Sequence, residues 1–253
     1  MPVWLLKNIM AKKTNQINQL PMDAKIGSSV EKLAIQLDFV PVFPELFEEA
    51  LIHSSYANEH KILSNERLEF LGDSVLSLIT VSFLFKTFPN YDEGDLAKLK
   101  SIIVSALIWA SLAKQLKLDS YIKLGAGELR NNGHSKQNIL ADLFEAFVGA
   151  YFLNFGLEKT TGFIEPLIKD NLAEVNRQFT LINAKNDLQE FSQSHGLFPE
   201  YRTIKEEGPA HQRWFNVEVL IKGMQAGKGE GHSLKEAQNK AALEAITKLK
   251  GIT

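Results

Sequence analysis

The chain has 253 residues, of which 45% are hydrophobic and 23% are charged, and its formal net charge is -2. This is the composition of an ordinary globular protein with one large or two smaller domains. The net charge argues against binding nucleic acid by bulk positive charge, but it does not exclude a local basic surface. Because the sequence has no cysteine, disulfides, thiolate metal sites and cysteine nucleophiles are excluded, and any metal must take oxygen or imidazole ligands.

Residues 1–28 predict a flexible N-terminal extension. The apolar run Val3–Leu6 is short and lacks the small-residue cleavage site of a signal peptide, and the following residues are mostly polar. Met10 and Met22 are alternative start positions. We find no stretch that approaches the length of a membrane span, so we expect a cytoplasmic protein without membrane contact.

Residues 29–178 predict an all-α domain. Apolar residues recur at spacings of three and four, Pro and Gly stand at the breaks, and no segment alternates like a strand. Leu96–Leu118 in particular predicts one long amphipathic helix.

A first acidic motif lies in Asn65–Leu76, which predicts a helix with three carboxylates on one face. Glu66, Glu69 and Asp73 fall at positions i, i+3 and i+7. Most charge runs of this kind are solvated polar faces. Here the helix is apolar on most of its circumference, so we expect the acidic stripe to be narrow and half-buried. Like charges in that setting need a counter-ion such as a divalent cation.

A second apolar helix, predicted over Ile139–Ala150, carries the acidic pair Asp142 and Glu145 at i and i+3. If the two helices pack face to face, four or five carboxylates meet at one point. Carboxylate oxygens with open coordination positions suit Mg²⁺, which retains water ligands and takes phosphate as a further ligand. Such a site can activate water and stabilise the leaving oxygen of a phosphodiester.

Residues 184–253 predict a separate small domain in which helix, three strands and helix follow in the order α-β-β-β-α. A short linker near residues 178–183 precedes it, and the whole chain is therefore expected to be α+β in two domains. The predicted elements are a helix over Asn186–His195, strands over Tyr201–Lys205, Arg213–Lys222 and the segment that ends at Gly231, and a last helix that begins at the capping-box pattern Ser233–Glu236.

These motifs resemble a known family. Asn65–Leu76 resembles the signature of the ribonuclease III family, Gly125–Ala150 resembles its second conserved block, and residues 184–250 resemble the double-stranded-RNA-binding domain of its bacterial members. The resemblance implies a homodimeric, Mg²⁺-dependent endoribonuclease, with Mn²⁺ as a substitute ion. Such an enzyme cuts both strands of double-stranded RNA, leaves 5′-phosphate and 3′-hydroxyl ends, and processes ribosomal precursor, messenger and other structured RNAs.

Four acids match the catalytic positions of the family, which implies metal-assisted hydrolysis without a protein nucleophile. They are Glu69, Asp73, Asp142 and Glu145, and three of them, Glu69, Asp142 and Glu145, match its metal ligands. The resemblance implies that a metal-activated water attacks a backbone phosphate. It ties Glu145 most directly to metal binding and hydrolysis.

Further positions match the family in less decisive ways. Glu66 and Glu93 match secondary acids that line the cleft, but roles as helix-start or surface charges are equally open. Phe70 matches a side chain that inserts into the partner subunit, and a place in the core is its alternative. We interpret His53, which lies in a family-like motif, as a packing or hydrogen-bonding group rather than a metal ligand.

The resemblance also assigns RNA contacts to the C-terminal domain. One helix face would bond 2′-hydroxyls, a loop would reach a second minor groove, and lysines at the last helix would hold phosphates. Without the resemblance, a solvated helix face would be the default interpretation. The residues are Gln189, Glu190 and Gln193 on the helix, His211 in the loop, and Lys235 and Lys240 at the last helix.

The lysine cluster at the start of the last helix departs from the family pattern. Leu234 and Gln238 stand where lysines are common, and residues 184–253 contain ten Lys or Arg against nine Asp or Glu. Each missing phosphate contact lowers affinity and flattens its salt dependence. We therefore expect weaker RNA binding than in a lysine-rich relative.

Two other functions stay open. One is a non-catalytic RNA-binding or scaffold protein with the same fold, which would be expected to lack one of the four matched acids; all four are present. The other is a Mg²⁺-dependent nuclease or phosphatase for a different substrate, which the C-terminal domain makes the weaker choice.

Overall fold

A computed structural model describes residues 27–209 and 212–252, with side chains described from Ser29 to Gly251 in these ranges. The chain divides into two compact units between Asn171 and Leu172. The predicted N-terminal extension, residues 1–28, lies outside the described residues except for the backbone of its last two positions.

The first unit is helical, as predicted. Within its described residues, the only β contact is an isolated parallel bridge between Ile52 and Lys123. Two short 3₁₀ turns, Leu118–Ser120 and Gly133–Ser135, interrupt the helices. The helices are α1 Gly27–Gln36, α2 Pro44–Ala50, α3 Ser54–His60, α4 Glu66–Thr87, α5 Glu93–Ile103, α6 Ala106–Gln115, α7 Ala126–Arg130 and α8 Gln137–Asp170.

The single helix predicted over Leu96–Leu118 is wrong, because the structure has two helices, α5 and α6, bent by 48° at their junction. Ser105 has an extended backbone with ψ 149°, and its hydroxyl donates a hydrogen bond to the carbonyl of Ile102 at 2.7 Å. Both helices bury apolar side chains, so the apolar spacing continues across the bend and gives no sign of it.

Helices α4 and α8 form the centre of the first unit. They pack against each other, and their core side chains, such as Leu76 and Phe144, are fully buried. Trp109 of α6 stacks on Phe144 with ring centroids 5.4 Å apart. These two helices also carry the two acidic motifs, so the core of the unit positions the candidate site.

We expected no stretch long enough to span a membrane. Judged by length and composition alone, this expectation is wrong. In the described part of the chain, α4 and α8 are long and apolar enough to cross a membrane, and the bent pair α5 and α6 meets the same criterion as one span. A helix that is apolar around most of its circumference is also typical of a domain interior. Because α4 and α8 pack on each other with carboxylates at their contact, we interpret them as core helices.

The second unit has the predicted α-β-β-β-α order. Its elements are α9 Leu172–Ser194, β1 Pro199–Glu207, β2 Trp214–Ile221, β3 Met224–Gly231 and α10 Leu234–Ile252. The strands form an antiparallel sheet in the order β1-β2-β3. The shared core joins residues of α9, β2 and α10, including Leu188, Val217, Val219, Ala237, Ala241 and Ala245.

The first helix of this unit is longer than predicted. The sequence predicts a helix over Asn186–His195 after a linker near residues 178–183, whereas α9 begins at Leu172 and includes that segment. The segment contains neither Gly nor Pro, so nothing in it interrupts helical hydrogen bonding.

Candidate functional site

Helices α4 and α8 cross at two glycines. A Cβ atom on Gly72 would collide with the main-chain carbonyl of Glu145, and one on Gly149 would collide with the carbonyl of Leu68. The two main chains therefore lie in direct contact, which any larger residue at either position would prevent. The sequence prediction missed this role, although an isolated glycine inside an apolar helical pattern is a recognised sign of close packing.

This crossing brings the two acidic motifs together. Glu69 precedes Gly72 by one helical turn, and Asp142 and Glu145 lie one to two turns before Gly149 on the facing helix. One carboxylate oxygen from each of Glu69, Asp142 and Glu145 lies within 4.8 Å of the others, and all three side chains are half-buried. Oxygen donors at this separation can share one hard cation and leave positions open for water or phosphate.

The electrostatics of the cluster favour a bound positive charge. Burial, followed by repulsion from Asp142, raises the pKa of Glu69 to about 7. Burial, followed by repulsion from Asp73, raises the pKa of Glu145 to about 8. The pKa of Asp142 is also raised by burial, against an opposing effect of His53. Without a cation, the carboxylates therefore tend to hold protons, and a cation that displaces these protons would relieve the repulsion.

The other predicted acids lie outside the three-carboxylate group. Asp73 is exposed, but it is close enough for its charge to raise the pKa of Glu145. Glu66, at the start of α4, is exposed and accepts a hydrogen bond from the hydroxyl of Ser64 at 2.7 Å. Glu93 is exposed at the first position of α5. The structure thus groups the three predicted metal ligands, with Asp73 beside them.

His53 has the hydrogen-bonding environment of a structural residue. It precedes α3, and its Nδ1 accepts a hydrogen bond from the main-chain N–H of Ser55 at 3.2 Å. The Ser55 hydroxyl lies 2.8 Å from the same Nδ1 and accepts the N–H of Gly125 at 2.9 Å. His53 and Ser55 therefore fix the start of α3 to the segment before α7. The sequence analysis did not predict this role of Ser55.

Phe70 is not a core residue of the isolated chain, because 79% of it is exposed. Three more large apolar side chains of α4, Leu78, Val81 and Phe85, are also exposed. Their spacing from Phe70 is 8, 11 and 15 residues, which places all four on one side of the helix. Several large apolar side chains exposed on one side of a helix are typical of a protein–protein contact.

The predicted RNA contacts on α9 share one exposed face. Gln189, Glu190 and Gln193 are exposed, whereas Leu188 beside them is fully buried. Their amide and carboxylate groups are therefore free to bond a ligand such as a 2′-hydroxyl. His211, the predicted loop contact, lies outside the described residues.

The start of α10 is capped by its own side chains. The main-chain N–H of Glu236 donates to the Ser233 hydroxyl at 3.1 Å, and the N–H of His232 donates to the Glu236 carboxylate at 3.0 Å. That carboxylate also forms an ion pair with Lys240 at 2.6 Å, which offsets part of the lysine charge. Lys235 is exposed at the same helix start.

A pH-dependent stability of the metal-free protein follows from the raised pKa values. The folded state holds protons on Glu69 and Glu145 up to about pH 7 and 8, whereas the ordinary value is 4.5. Between these limits the folded state binds more protons than the unfolded state, so stability falls as pH rises. In EDTA, the melting temperature of Glu145→Gln should fall less between pH 5 and 9 than that of the unmodified chain, measured by circular dichroism.

The exposed Glu158, which follows the kink of α8 at Gly156, provides a matched control away from the cluster. Glu158→Gln removes one carboxylate without touching the cluster, so its melting curve should follow the unmodified chain at every pH. Parallel curves for the unmodified chain and Glu145→Gln would contradict the assigned proton uptake.

Comparisons with known proteins agree with this arrangement. The Ribonuclease-III-like family model matches residues 44–172, and the double-stranded RNA binding motif matches residues 184–249. Ribonuclease 3 of Streptococcus pneumoniae is 42% identical over 208 residues, covering 81% of this chain and 89% of that protein. Ribonuclease 3 of Streptococcus sanguinis is 42% identical over 217 residues, covering 84% and 93%.

A solved structure shares the fold of the first unit. The nuclease domain of ribonuclease III from Campylobacter jejuni superposes with a TM-score of 0.53 at 38% identity, over 56% of this chain and 97% of that domain. That structure is described as flexible in a region involved in dimer formation.

Proposed function

This chain belongs to the ribonuclease III family of double-stranded-RNA endonucleases, and we propose that it is a Mg²⁺-dependent enzyme that cuts both strands of an RNA duplex as a homodimer. The observation that carries the proposal is the meeting of Glu69, Asp142 and Glu145 at the crossing of α4 and α8. We propose 5′-phosphate and 3′-hydroxyl ends for its products: water forms the new bond to phosphorus, the bond from phosphorus to the 3′-oxygen breaks, and that oxygen takes up a proton.

The donor set fits a hard divalent cation. Glu69, Asp142 and Glu145 offer only carboxylate oxygens, which Mg²⁺ prefers and Mn²⁺ also accepts. When bound, the ion would supply an activated water and stabilise the leaving oxygen of the phosphodiester. Asp73, exposed beside the cluster, is assigned to accept hydrogen bonds from the attacking water. Glu66 and Glu93 are assigned to the edge of the cleft.

The exposed apolar side of α4 supports a homodimer. Phe70 and Phe85 are 79% and 73% exposed, and covering such side chains against a second copy would remove apolar surface from water. Two copies would supply two carboxylate clusters, one for each strand of the duplex.

The dimer can be tested by removing the Phe70 side chain. Phe70→Ala should shift the sedimentation profile from dimer towards monomer. Phe198→Ala, which removes an exposed ring of the second unit, should leave the profile unchanged.

The second unit supports selection of duplex RNA. A-form RNA presents 2′-hydroxyls in a shallow minor groove and is recognised mainly by shape. The exposed face formed by Gln189, Glu190 and Gln193 is assigned to these hydroxyls. Lys235 and Lys240, at the N-terminal end of α10, are assigned to phosphates, and His211 to a second minor groove. Ribosomal precursor and messenger RNAs with long stems, in the cytoplasm, are proposed as its substrates.

A direct assay tests this function. A long RNA duplex should be cut in Mg²⁺ or Mn²⁺ but not in EDTA, and a single strand of the same sequence should survive. Digestion of the products by an exonuclease that requires a 5′-phosphate reports their ends. Binding of the duplex without any metal-dependent cutting would instead favour the non-catalytic RNA-binding protein.

The thin lysine cluster predicts weak and weakly salt-dependent binding of a duplex. Leu234, 41% exposed at the first position of α10, can be replaced by lysine without disturbing the core. One added phosphate contact should steepen the slope of log affinity against log salt by roughly 0.7–0.9. Duplex binding by the full chain in EDTA, measured over a range of salt concentrations, checks this.

Met224→Lys provides the control for this substitution. Met224 is 71% exposed at the start of β3, so the change adds the same charge at a different turn. Equal effects of both substitutions would show that bulk charge, rather than the position at α10, determines affinity.

A further inference from the structure

A cavity of about 330 Å³ lies in the second unit between α9 and the start of β1. Three of its lining residues, Lys185, Gln189 and Gln193, come from α9, and the other three, Phe198, Pro199 and Tyr201, come from the start of the sheet. The cavity therefore adjoins the α9 face assigned above to RNA, but it extends beyond that face.

The outer wall of the cavity is an exposed aromatic ring. Phe198 is 76% exposed, and it lies immediately before β1, outside the core of the unit. A single exposed apolar side chain is common on protein surfaces and by itself indicates nothing. Here the ring lines a cavity together with the polar side chains of Lys185, Gln189 and Gln193, so an aromatic surface lies beside hydrogen-bonding groups.

The inner wall carries a positioned charge and an unsatisfied hydroxyl. Lys185 Nζ lies 4.9 Å from the centroid of the Tyr201 ring and donates a hydrogen bond to the Gln238 side chain at 2.7 Å. The Tyr201 hydroxyl is buried and has no hydrogen-bond partner among the described residues. Burial also raises the pKa of Tyr201 to about 12, so the hydroxyl keeps its proton. Because this hydroxyl has almost no exposed surface, the lining offers a ligand the Tyr201 ring and the Lys185 ammonium group rather than the hydroxyl.

The remaining polar groups are amides that can both donate and accept hydrogen bonds. Gln189 and Gln193 are exposed and lie one helical turn apart on α9. An aromatic face, paired amides and a nearby ammonium group together suit a flat heterocycle with a polar edge that is attached to a phosphate. A paired base is covered on both faces by its neighbours in the stack, whereas a base in a bulge, loop or end has a free face.

We propose that this cavity binds one unpaired nucleobase of the RNA, with Phe198 stacked on the base. The amides of Gln189 and Gln193, each with two donor hydrogens and an acceptor oxygen, are shared between the polar edge of the base and the 2′-hydroxyls of the stem. The proposal rests on the proposed function, because α9 must first lie on the RNA. It adds a preference for duplexes that carry an unpaired nucleotide next to the bound stem, which recognition of A-form shape does not provide.

The test compares two RNAs with the full chain in EDTA, so that no cutting is required. One is a fully paired duplex, and the other carries a single bulged 2-aminopurine. The unmodified chain should bind the bulged RNA about tenfold more tightly, the range expected for stacking of one base on an aromatic side chain. Its binding should also change the 2-aminopurine fluorescence.

Phe198→Ala should abolish both the preference and the fluorescence change, while binding of the paired duplex stays within about twofold of the unmodified chain. Because Phe198 is exposed, the unit should still fold, which the melting temperature verifies. Met224→Ala, which removes another exposed apolar side chain of the same unit, should retain the preference.

Two results would overturn the proposal. No preference for the bulged RNA in the unmodified chain would show that the cavity holds no base. Equal weakening of both RNAs by Phe198→Ala would place Phe198 on the duplex itself. Failure of the unmodified chain to bind the paired duplex would instead contradict the proposed function.

Discussion

Glu145→Gln is expected to lower the rate of duplex cutting by about 10² to 10³-fold, the scale found when one preorganised charge-stabilising group is removed from an active site. Glutamine preserves the size of the side chain but removes its negative charge. Burial, followed by repulsion from Asp73, Asp142 and Glu69, raises the pKa of Glu145 to about 8. A bound cation would therefore compensate both the burial of this charge and its repulsion by the neighbouring carboxylates.

The measurement should separate cutting from RNA binding. Glu145→Gln should bind the duplex as tightly as the unmodified chain, because the assigned RNA contacts lie in the second unit. Its residual cutting should need more Mg²⁺ for half-maximal rate, which a purely structural defect would not produce. Glu66→Gln, at the exposed start of α4, is the matched control and should lower the rate by about tenfold at most. Undiminished cutting by Glu145→Gln would refute the metal assignment.

Gly72→Ala is expected to disrupt the site without changing any carboxylate. The added Cβ would collide with the main-chain carbonyl of Glu145, and a carbonyl within a helix cannot rotate away as a side chain can. The helices must separate, which destabilises the first unit by about 1–3 kcal/mol or more. Separation also moves Glu69 away from its partners on α8, so Mg²⁺ binding and cutting should both be lost.

Gly162→Ala is the control for this prediction. Gly162 lies in the part of α8 that follows a kink at Gly156, and a Cβ there meets no atom within 4 Å. Alanine at an open helical position should increase stability by about 0.5–1 kcal/mol. Thermal unfolding and calorimetric titration with Mg²⁺ measure both effects. If Gly72→Ala keeps its melting temperature and its affinity for Mg²⁺, the close crossing is not what assembles the site.

Much of the fold could be predicted because its periodicities are local. The acidic stripe Glu66-Glu69-Asp73 and the pair Asp142-Glu145 follow from helical spacing, and the two predicted helices do meet through their acidic faces. The alternation in Arg213–Lys222 likewise predicted strand β2, and the α-β-β-β-α order is confirmed. In each case one face is apolar and the other polar, so the pattern indicates both the element and its orientation.

The features that could not be predicted depend on contacts between distant residues. The bend at Ser105 leaves the apolar spacing intact, and the start of α9 at Leu172 lies in a segment without Gly or Pro. Gly72 and Gly149 touch main-chain atoms more than seventy positions away along the chain, whereas Gly196 follows the end of a helix and Gly223 lies in a turn, both with positive φ. Local sequence does not distinguish these uses. Whether Phe70 is exposed likewise depends on which residues pack around α4, and the local sequence does not show this.

The contact between the main chains of α4 and α8 also bears on which ion the carboxylates accept. Because the two backbones touch at Gly72 and Gly149, the span between Glu69 and Glu145 can adjust only by rotation of side chains. Mg²⁺ requires oxygens at about 2.1 Å in a regular octahedron, whereas Ca²⁺ takes more ligands at about 2.4 Å in a variable arrangement. A frame fixed by main-chain contact should therefore discriminate by ionic radius, so that Ca²⁺ occupies the acids as an inhibitor of cutting rather than as a replacement for the smaller ion.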